Sequence, residues 1–352
     1  MTSFRIVVIA ALLCVACGQV EDPPVADAPS TSNGTETSSS NINAALDSFA
    51  DDEHDDLMSV FVLHDGELVA ERFFNDADEQ TLVDVRSAGK SVTSLLVGIA
   101  MDQGAIASLD DRVEMYWPES EGSPIGSIQL KDLLTMRTGL AADANDPESP
   151  GYEDFLDASD DPLSFPMTVP VWEEPGTRYR YNSLAAYVAG VVIERATERG
   201  LEDFAREFLF EPLGIESLDW QEDRSGQTKG QGNLFLTGRG LNRIGEMVLN
   251  DGMFNGQQVV SAEWLEESLK PRVDISDEDP FATDYGYYWY RQTYPVGDRT
   301  VEVFFASGNG GNKIYVMPDL DMVVSIQSRA YGQGRGQRRS ESILKAILAT
   351  QS

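Results

Sequence analysis

The stretch Val85-Arg86-Ser87-Ala88-Gly89-Lys90-Ser91-Val92-Thr93-Ser94-Leu95-Leu96-Val97-Gly98-Ile99-Ala100-Met101 decides how this chain is read. Val92 to Met101 is apolar, and Ser91, Thr93 and Ser94 interrupt any strict alternation, so the segment predicts a buried helix rather than a strand. Ser87 opens it and Lys90 follows three residues later. Residues three apart share a helix face, so the Lys90 amine can reach the Ser87 hydroxyl. Burial would favour the neutral amine, a base able to take the serine proton. The helix start also leaves backbone N–H groups beside the hydroxyl, and Gly89 permits close packing.

Other bases are scarce. Only two histidines exist, His54 and His64, in an acidic run and at a turn, and none follows residue 64. A Ser-His-Asp arrangement is therefore hard to build. With only Cys14 and Cys17 besides, a His/Cys zinc site is nearly excluded, and neither metal nor cofactor is expected. With about 30 serines and six lysines, chance supplies roughly half a Ser-x-x-Lys match. A second copy, Ser342 to Lys345, sits in a terminal helix with no partner motif downstream and reads as coincidence.

Two later elements single out Ser87. Pro175-Gly176-Thr177-Arg178-Tyr179-Arg180-Tyr181-Asn182-Ser183 is a turn running into a helix. A tyrosine there, held near Lys90, could share its proton and shuttle it to a leaving group; Tyr181 is the candidate and Tyr179 reads as packing. Phe304-Phe305-Ala306-Ser307-Gly308-Asn309-Gly310-Gly311 is a strand running into glycines. Such an edge can present a backbone N–H to an oxyanion while glycine lets substrate approach.

Working outward, Leu57–Leu63 and Glu67–Phe74 are β-prone runs around a hairpin signal, Asp65-Gly66. Helices are expected over Lys131–Met136, Ala185–Thr197, Leu201–Phe210, Leu241–Asn250 and Ala262–Leu269, and a terminal one over Gln337–Leu348. Strands return at Tyr285–Tyr290, Val301–Phe305, Lys313–Met317 and Met322–Gln327. Strands at both ends with helices between imply an α+β fold: an antiparallel sheet of N- and C-terminal strands, flanked by helices, with a mainly helical region inserted at roughly 88–270.

The ordered motifs resemble the serine β-lactamase-like hydrolases: class C β-lactamases, D-Ala-D-Ala carboxypeptidases, related esterases and 6-aminohexanoate-oligomer hydrolases. The resemblance spans residues 55 to 350 and includes Ile128 to Leu140 and Leu249 to Ser261. It implies a β-lactamase/transpeptidase-like fold and an acyl-enzyme mechanism. Ser87 is then the acylated nucleophile, Lys90 its activating partner and Tyr181 the tyrosine of a Tyr-x-Asn motif. The third position of that motif is Ser183, with Asn182 displaced by one. The backbone N–H groups of Ser87 and Asn309 become the oxyanion hole, and Ser183, Ser307 and Gly308 line the substrate cleft. Ala306 stands where the family has Lys or His, which tilts the expectation from a β-lactamase or carboxypeptidase toward an esterase or amidase. Arg329 is a possible source of replacement charge. A binding module that has lost turnover is the alternative of another class.

The termini and charge add context. Met1 to Ala16 reads as a secretory signal, too short to span a bilayer. Leu12 to Gly18 resembles a lipobox with Cys17 as the lipidated residue, which implies an exported bacterial lipoprotein facing the periplasm or cell surface. Residues 18–50, rich in Ser, Thr, Pro and acids, are expected to be a flexible linker to a domain over 51–352. The run Asp51 to Asp56 lacks calcium-loop spacing and reads as a solvated face. Acidic residues number 59 against 26 basic, a net charge of −33. Such a surface repels phosphate backbones, so no nucleic acid is expected; the partners are a small ester, amide or peptide-like substrate, and the membrane through the lipid alone.

Overall fold

The computed structural model describes residues 32–51 and 53–351. The signal, Cys14 and Cys17 lie outside the described residues. The frame is an eight-stranded antiparallel sheet whose strands come from both ends of the chain. In chain order they are β1 (Leu57–His64), β2 (Glu67–Phe73), β3 (Val273–Asp274), β4 (Asp284–Tyr285), β5 (Tyr290–Val296), β6 (Arg299–Gly308), β7 (Asn312–Met317) and β8 (Met322–Ser328). Across the sheet they run β2-β1-β8-β7-β6-β5-β4-β3. The first hairpin turns at Asp65 and Gly66 with φ of 51° and 72°, the left-handed pair that a tight two-residue turn requires.

The helices that matter for the site are α1 (Ser32–Asp47), α2 (Gly89–Asp102), α3 (Glu153–Ala158), α4 (Ser183–Thr197), α5 (Gly238–Leu249) and α6 (Gly334–Ala349). Side chains alternate across a strand, and the two faces of β7 show what covers each. Ile314 meets Gly245 of α5, where an added Cβ would sit 2.8 Å from its Cγ2. Lys313 and Tyr315 point the other way, toward Glu341 of α6. Between β2 and β3 lies the inserted, mainly helical region, in which α2 and α4 pack together, buried from Gly89 to Ala100 and from Ser183 to Ile193.

Four expectations need correction. The linker over 18–50 gives way to α1, whose Ile42 and Leu46 are fully buried. The Asn43 side-chain amide ties the helix to the Val69 carbonyl at 2.9 Å. Two apolar residues four apart suffice for a docking stripe, and the polar composition around them masked it. Asp56, at the end of the acidic run, is buried rather than solvated, each carboxylate oxygen 2.6 Å from an arginine of α6, Arg335 or Arg339. Tyr285–Tyr290 is no continuous strand. The chain turns at Tyr288, which has φ of 61°, and Gly286 donates to the Trp289 carbonyl at 2.8 Å. Tyr285, Tyr287, Tyr288, Trp289 and Tyr290 are consequently all buried. Leu201–Phe210 also changes character, being α-helical to Ala205 and π-helical from Arg206.

Because α1 is docked, Leu46→Ala should lower stability by about 2–5 kcal/mol, as removal of a core leucine does. Urea denaturation measures this, and an unchanged midpoint would return residues 32–47 to the status of a tether.

Candidate active site

The serine sits in a pinned turn. Arg86 to Ala88 form a single 3₁₀ turn before α2, and Arg86 takes a left-handed φ of 52°, a conformation costing about 1–3 kcal/mol unless surroundings enforce it. Here they do. The Arg86 N–H donates to the Asp84 carboxylate at 2.8 Å and the Val85 N–H to the Leu234 carbonyl at 2.9 Å. The Tyr331 hydroxyl donates to the Asp84 carbonyl at 2.8 Å, and the Arg86 guanidinium lies 4.5 Å above the Tyr331 ring. Burial raises the Asp84 carboxyl above its usual range, against the Arg86 N–H and charge that lower it.

Lys90 lies in the first turn of α2 with only 2% exposure. Its amine has three polar neighbours: Ser87 Oγ at 2.9 Å, the Gln231 carbonyl at 2.8 Å and Ser183 Oγ at 3.3 Å. Gly89 makes room for that second contact, since a Cβ there would press on the Gly232 Cα at 3.3 Å. The ring centroid of Tyr181 is 5.2 Å from the amine. The tyrosine segment is held by its backbone: Arg180 donates to the Met136 carbonyl and Ala144 to that of Tyr181, both at 2.8 Å. Tyr179 packs edge-on against Tyr285, centroids 5.3 Å apart, as a core residue.

The shifted Tyr-x-Asn motif has a local reason. Asn182 is the N-cap of α4, its side-chain oxygen accepting from the Ala185 N–H at 2.8 Å, the role Asn fills well at a helix start. That leaves Ser183 to face Lys90, and its hydroxyl donates to Glu153 Oε2 of α3 at 2.5 Å.

Gly308 brings the end of β6 onto the serine turn. A Cβ there would fall 2.0 Å from the Val85 carbonyl oxygen and 3.1 Å from the Ala88 nitrogen, so only glycine permits the contact. Asn309 follows it, exposed, with its side-chain oxygen accepting from the Gly332 N–H at 2.8 Å. The last β5 pairing is Tyr290 with Phe305, while β7 continues to pair with Ala306, Ser307 and Gly308. Among the described residues, that edge of 306–308 therefore has no strand partner.

Ser307 points to the face opposite Gly308. Its hydroxyl accepts from the Lys313 amine at 2.7 Å rather than from any group at Ser87. Lys313 is 1% exposed and lies 4.7 Å from the Phe305 ring centroid. Burial pushes its amine down to about 8, against the raising influence of Asp279 and Glu341. Stacked and edge contacts join Phe305, Tyr290, Tyr285 and Tyr179 into one wall. Burial pushes the Tyr179, Tyr285 and Tyr290 hydroxyls well above their usual range. Arg329 is exposed beyond β8, two strands from β6, its N–H donating to the Asp56 carbonyl at 2.7 Å. Ala306 is fully buried.

Ser87, Lys90, Tyr181, Ser183 and the backbone at Gly308 thus converge, whereas the Ser307 side chain turns to Lys313. Glu153, Gln231 and Lys313 escaped the reading of the sequence. Only Lys313 carried a visible signal, a lysine inside an otherwise apolar strand. Ser342 is remote in character as well: it lies exposed on α6, its hydroxyl donating to the Arg338 carbonyl at 2.9 Å.

With the geometry in hand, relatives can be compared. A family model described as Beta-lactamase matches residues 32–347. The chain belongs to the Beta-lactamase family. Members of this family are serine hydrolases, among them amidases and esterases. The chain is 26% identical over 283 residues to a 6-aminohexanoate-dimer hydrolase of Paenarthrobacter ureafaciens, covering 75% of this chain and 70% of that protein. The fold superposes on a penicillin-binding protein homologue from Caulobacter crescentus with a TM-score of 0.72 at 18% identity, over 89% of this chain and 97% of that one. A family VIII carboxylesterase gives a TM-score of 0.69 at 18% identity, over 88% and 97%. The β-lactamase fold expected from the ordered motifs is therefore the fold observed.

Lys313 generates a pH-dependent expectation. Below pH 8 the folded protein holds a buried ammonium that the unfolded chain would hydrate, which opposes folding. As pH climbs from about 8 toward the ordinary lysine value of 10.5, the folded amine is neutral while the unfolded one is still charged, so stability from this group rises. Lys313→Met should therefore stabilise the protein at pH 7, by at most roughly 3 kcal/mol, with the gain shrinking by pH 10. Thermal unfolding at both pH values tests this; an equal change at both would refute it.

Proposed function

We propose that this protein hydrolyses ester or amide bonds through an acyl-enzyme on Ser87. The observation that carries the reading is the 2.9 Å contact between the buried Lys90 amine and the Ser87 hydroxyl. Lys90 accepts the serine proton as the hydroxyl oxygen attacks the substrate carbonyl. The oxygen of the tetrahedral intermediate is stabilised by the N–H groups of Ser87 and Asn309; the close approach of Gly308 to the serine turn supports this pairing. Tyr181 passes the proton to the departing alcohol or amine. Water then attacks the Ser87 ester, releasing the acid and regenerating the hydroxyl.

Ala306 in place of a cation supports neutral substrates. A substrate carboxylate would lose a charge-assisted contact worth about 1.5–3 kcal/mol, or roughly a tenfold to hundredfold in rate if it persists into the transition state. A second reading, a β-lactamase or D-Ala-D-Ala carboxypeptidase, draws support from Lys313, whose ammonium stands behind Ser307 at the open strand edge. We favour the first because that ammonium is buried and screened by the serine. Loss of all turnover, leaving a binding module, is disfavoured by the Ser87–Lys90 contact.

Ser87→Ala should abolish covalent labelling by a fluorophosphonate, and Ser342→Ala should leave it intact, as read by intact mass. In parallel, wild-type kcat/KM on p-nitrophenyl acetate should exceed that on nitrocefin. Labelling that survives Ser87→Ala would sink the nucleophile; robust nitrocefin turnover with far weaker ester hydrolysis would instead favour the β-lactamase reading.

We also propose export and anchoring through a lipid on Cys17, on the strength of the lipobox-like Leu12 to Gly18. Among the described residues no helix is long and apolar enough to cross a membrane. Cys17→Ser should release the protein from the membrane fraction or stall its processing, while Cys14→Ser should do neither. Identical fractionation of both variants and wild type would count against the anchor.

A further inference from the structure

Ser183 is the hinge of a second hydrogen-bond chain, and the chemistry of its neighbours sets the direction of every proton in it. A carboxylate only accepts, so the single Ser183 hydrogen, 2.5 Å from Glu153 Oε2, belongs to that bond. Ser183 can then offer Lys90 only a lone pair, across 3.3 Å. The Gln231 carbonyl, at 2.8 Å, likewise only accepts. Two of the three polar neighbours of Lys90 therefore each require one of its hydrogens. In the acylating state that the proposed mechanism requires, the amine is neutral, with two hydrogens and one lone pair, and the lone pair is left for Ser87.

We propose that Glu153 is the positioning residue of this site: by fixing the Ser183 hydroxyl, it aims the lone pair of Lys90 at Ser87. The proposal rests on the acyl-enzyme reading above and deepens it. Without a carboxylate at 153, the Ser183 O–H is free to rotate and donate to the Lys90 lone pair. The base then binds the wrong hydroxyl, and Ser87 keeps its proton. Glu153 touches neither substrate nor the reacting oxygen; it acts through one serine. The charge of Glu153 reaches the same cluster in another way, since it also helps to raise Asp84 beside the serine turn.

The measurement is the rate of Ser87 acylation, followed by the burst of p-nitrophenol from an ester and by fluorophosphonate mass labelling. Glu153→Leu removes the acceptor and should slow acylation about tenfold to hundredfold, in the burst rate constant at saturating ester, with the ester concentration that half-saturates the burst little changed. Glu153→Gln keeps an acceptor oxygen for Ser183 and should lose far less. The decisive comparison is in a Ser183→Ala background, which has no hydroxyl to misdirect: there Glu153→Leu should have no further effect. Glu153→Leu at the wild-type rate, Gln and Leu equally impaired, or losses that multiply across the Ser183→Ala pair would each overturn the proposal. Failure of the underlying reading looks different, because wild type itself would then form no adduct on Ser87. Thermal unfolding of each variant confirms that the rates are those of folded protein.

Discussion

A lysine amine at 2% exposure is the constraint around which this domain is arranged. An ionisable group so placed costs several kcal/mol unless its hydrogen-bonding capacity is filled. Two of the three oxygens around it come from distant parts of the chain. Ser87 is three residues away, Ser183 93 and Gln231 141. The turns that deliver them are costly in themselves: a left-handed arginine before the serine, glycines at 230 and 232 packed against α4 and the serine turn, and a glycine at 308 that touches backbone. All three oxygens lie in the insert between β2 and β3, and the strand frame meets that cluster at the serine turn, through Gly308.

That dependence explains what could be read from the sequence. Ser87 and Lys90 were legible because their contact is local, one helical turn, and the flanking apolar run fixes the element that makes it. The hairpin at Asp65-Gly66 and the terminal helix were legible for the same reason. Glu153 was not. It is one of 59 acidic residues, on a six-residue helix, and its partner lies 30 positions away. Tyr285–Tyr290 failed for a subtler reason. A run of aromatic residues has strand propensity whatever its backbone does, and nothing local reveals that Tyr288 adopts positive φ while Ser91 of α2 donates to its carbonyl at 2.6 Å. Tertiary contacts overrode propensity there.

At the N-terminal edge, composition misled in the opposite sense. Ser, Thr and Asn dominate residues 32–47, and their mean polarity hides Ile42 and Leu46, which dock α1 beside β2. Averages over a window are blind to a stripe of two residues. Asp56 shows the same blindness for charge: four acidic neighbours suggest solvent, yet this one holds Arg335 and Arg339 of α6. Net charge describes the surface; it does not say which carboxylate has been drawn inside.

The two buried lysines show how environment, rather than burial, assigns a task. Both are almost fully enclosed. Lys90 has three oxygen neighbours, the Ser87 and Ser183 hydroxyls and the Gln231 carbonyl. Lys313 has one hydroxyl and a set of aromatic rings. Ring faces attract a cation without accepting a proton in exchange, so they offset part of the burial cost of a charge at Lys313 but give it no group to activate. Lys90 instead lies beside the Ser87 hydroxyl, which gives up its proton in the proposed acylation. Lys313, kept at a folding cost without a proton-transfer partner, fits an electrostatic role, with the Ser307 hydroxyl between it and the open edge. Under the proposed mechanism the first lysine is placed to move a proton, and the second only to bias what binds.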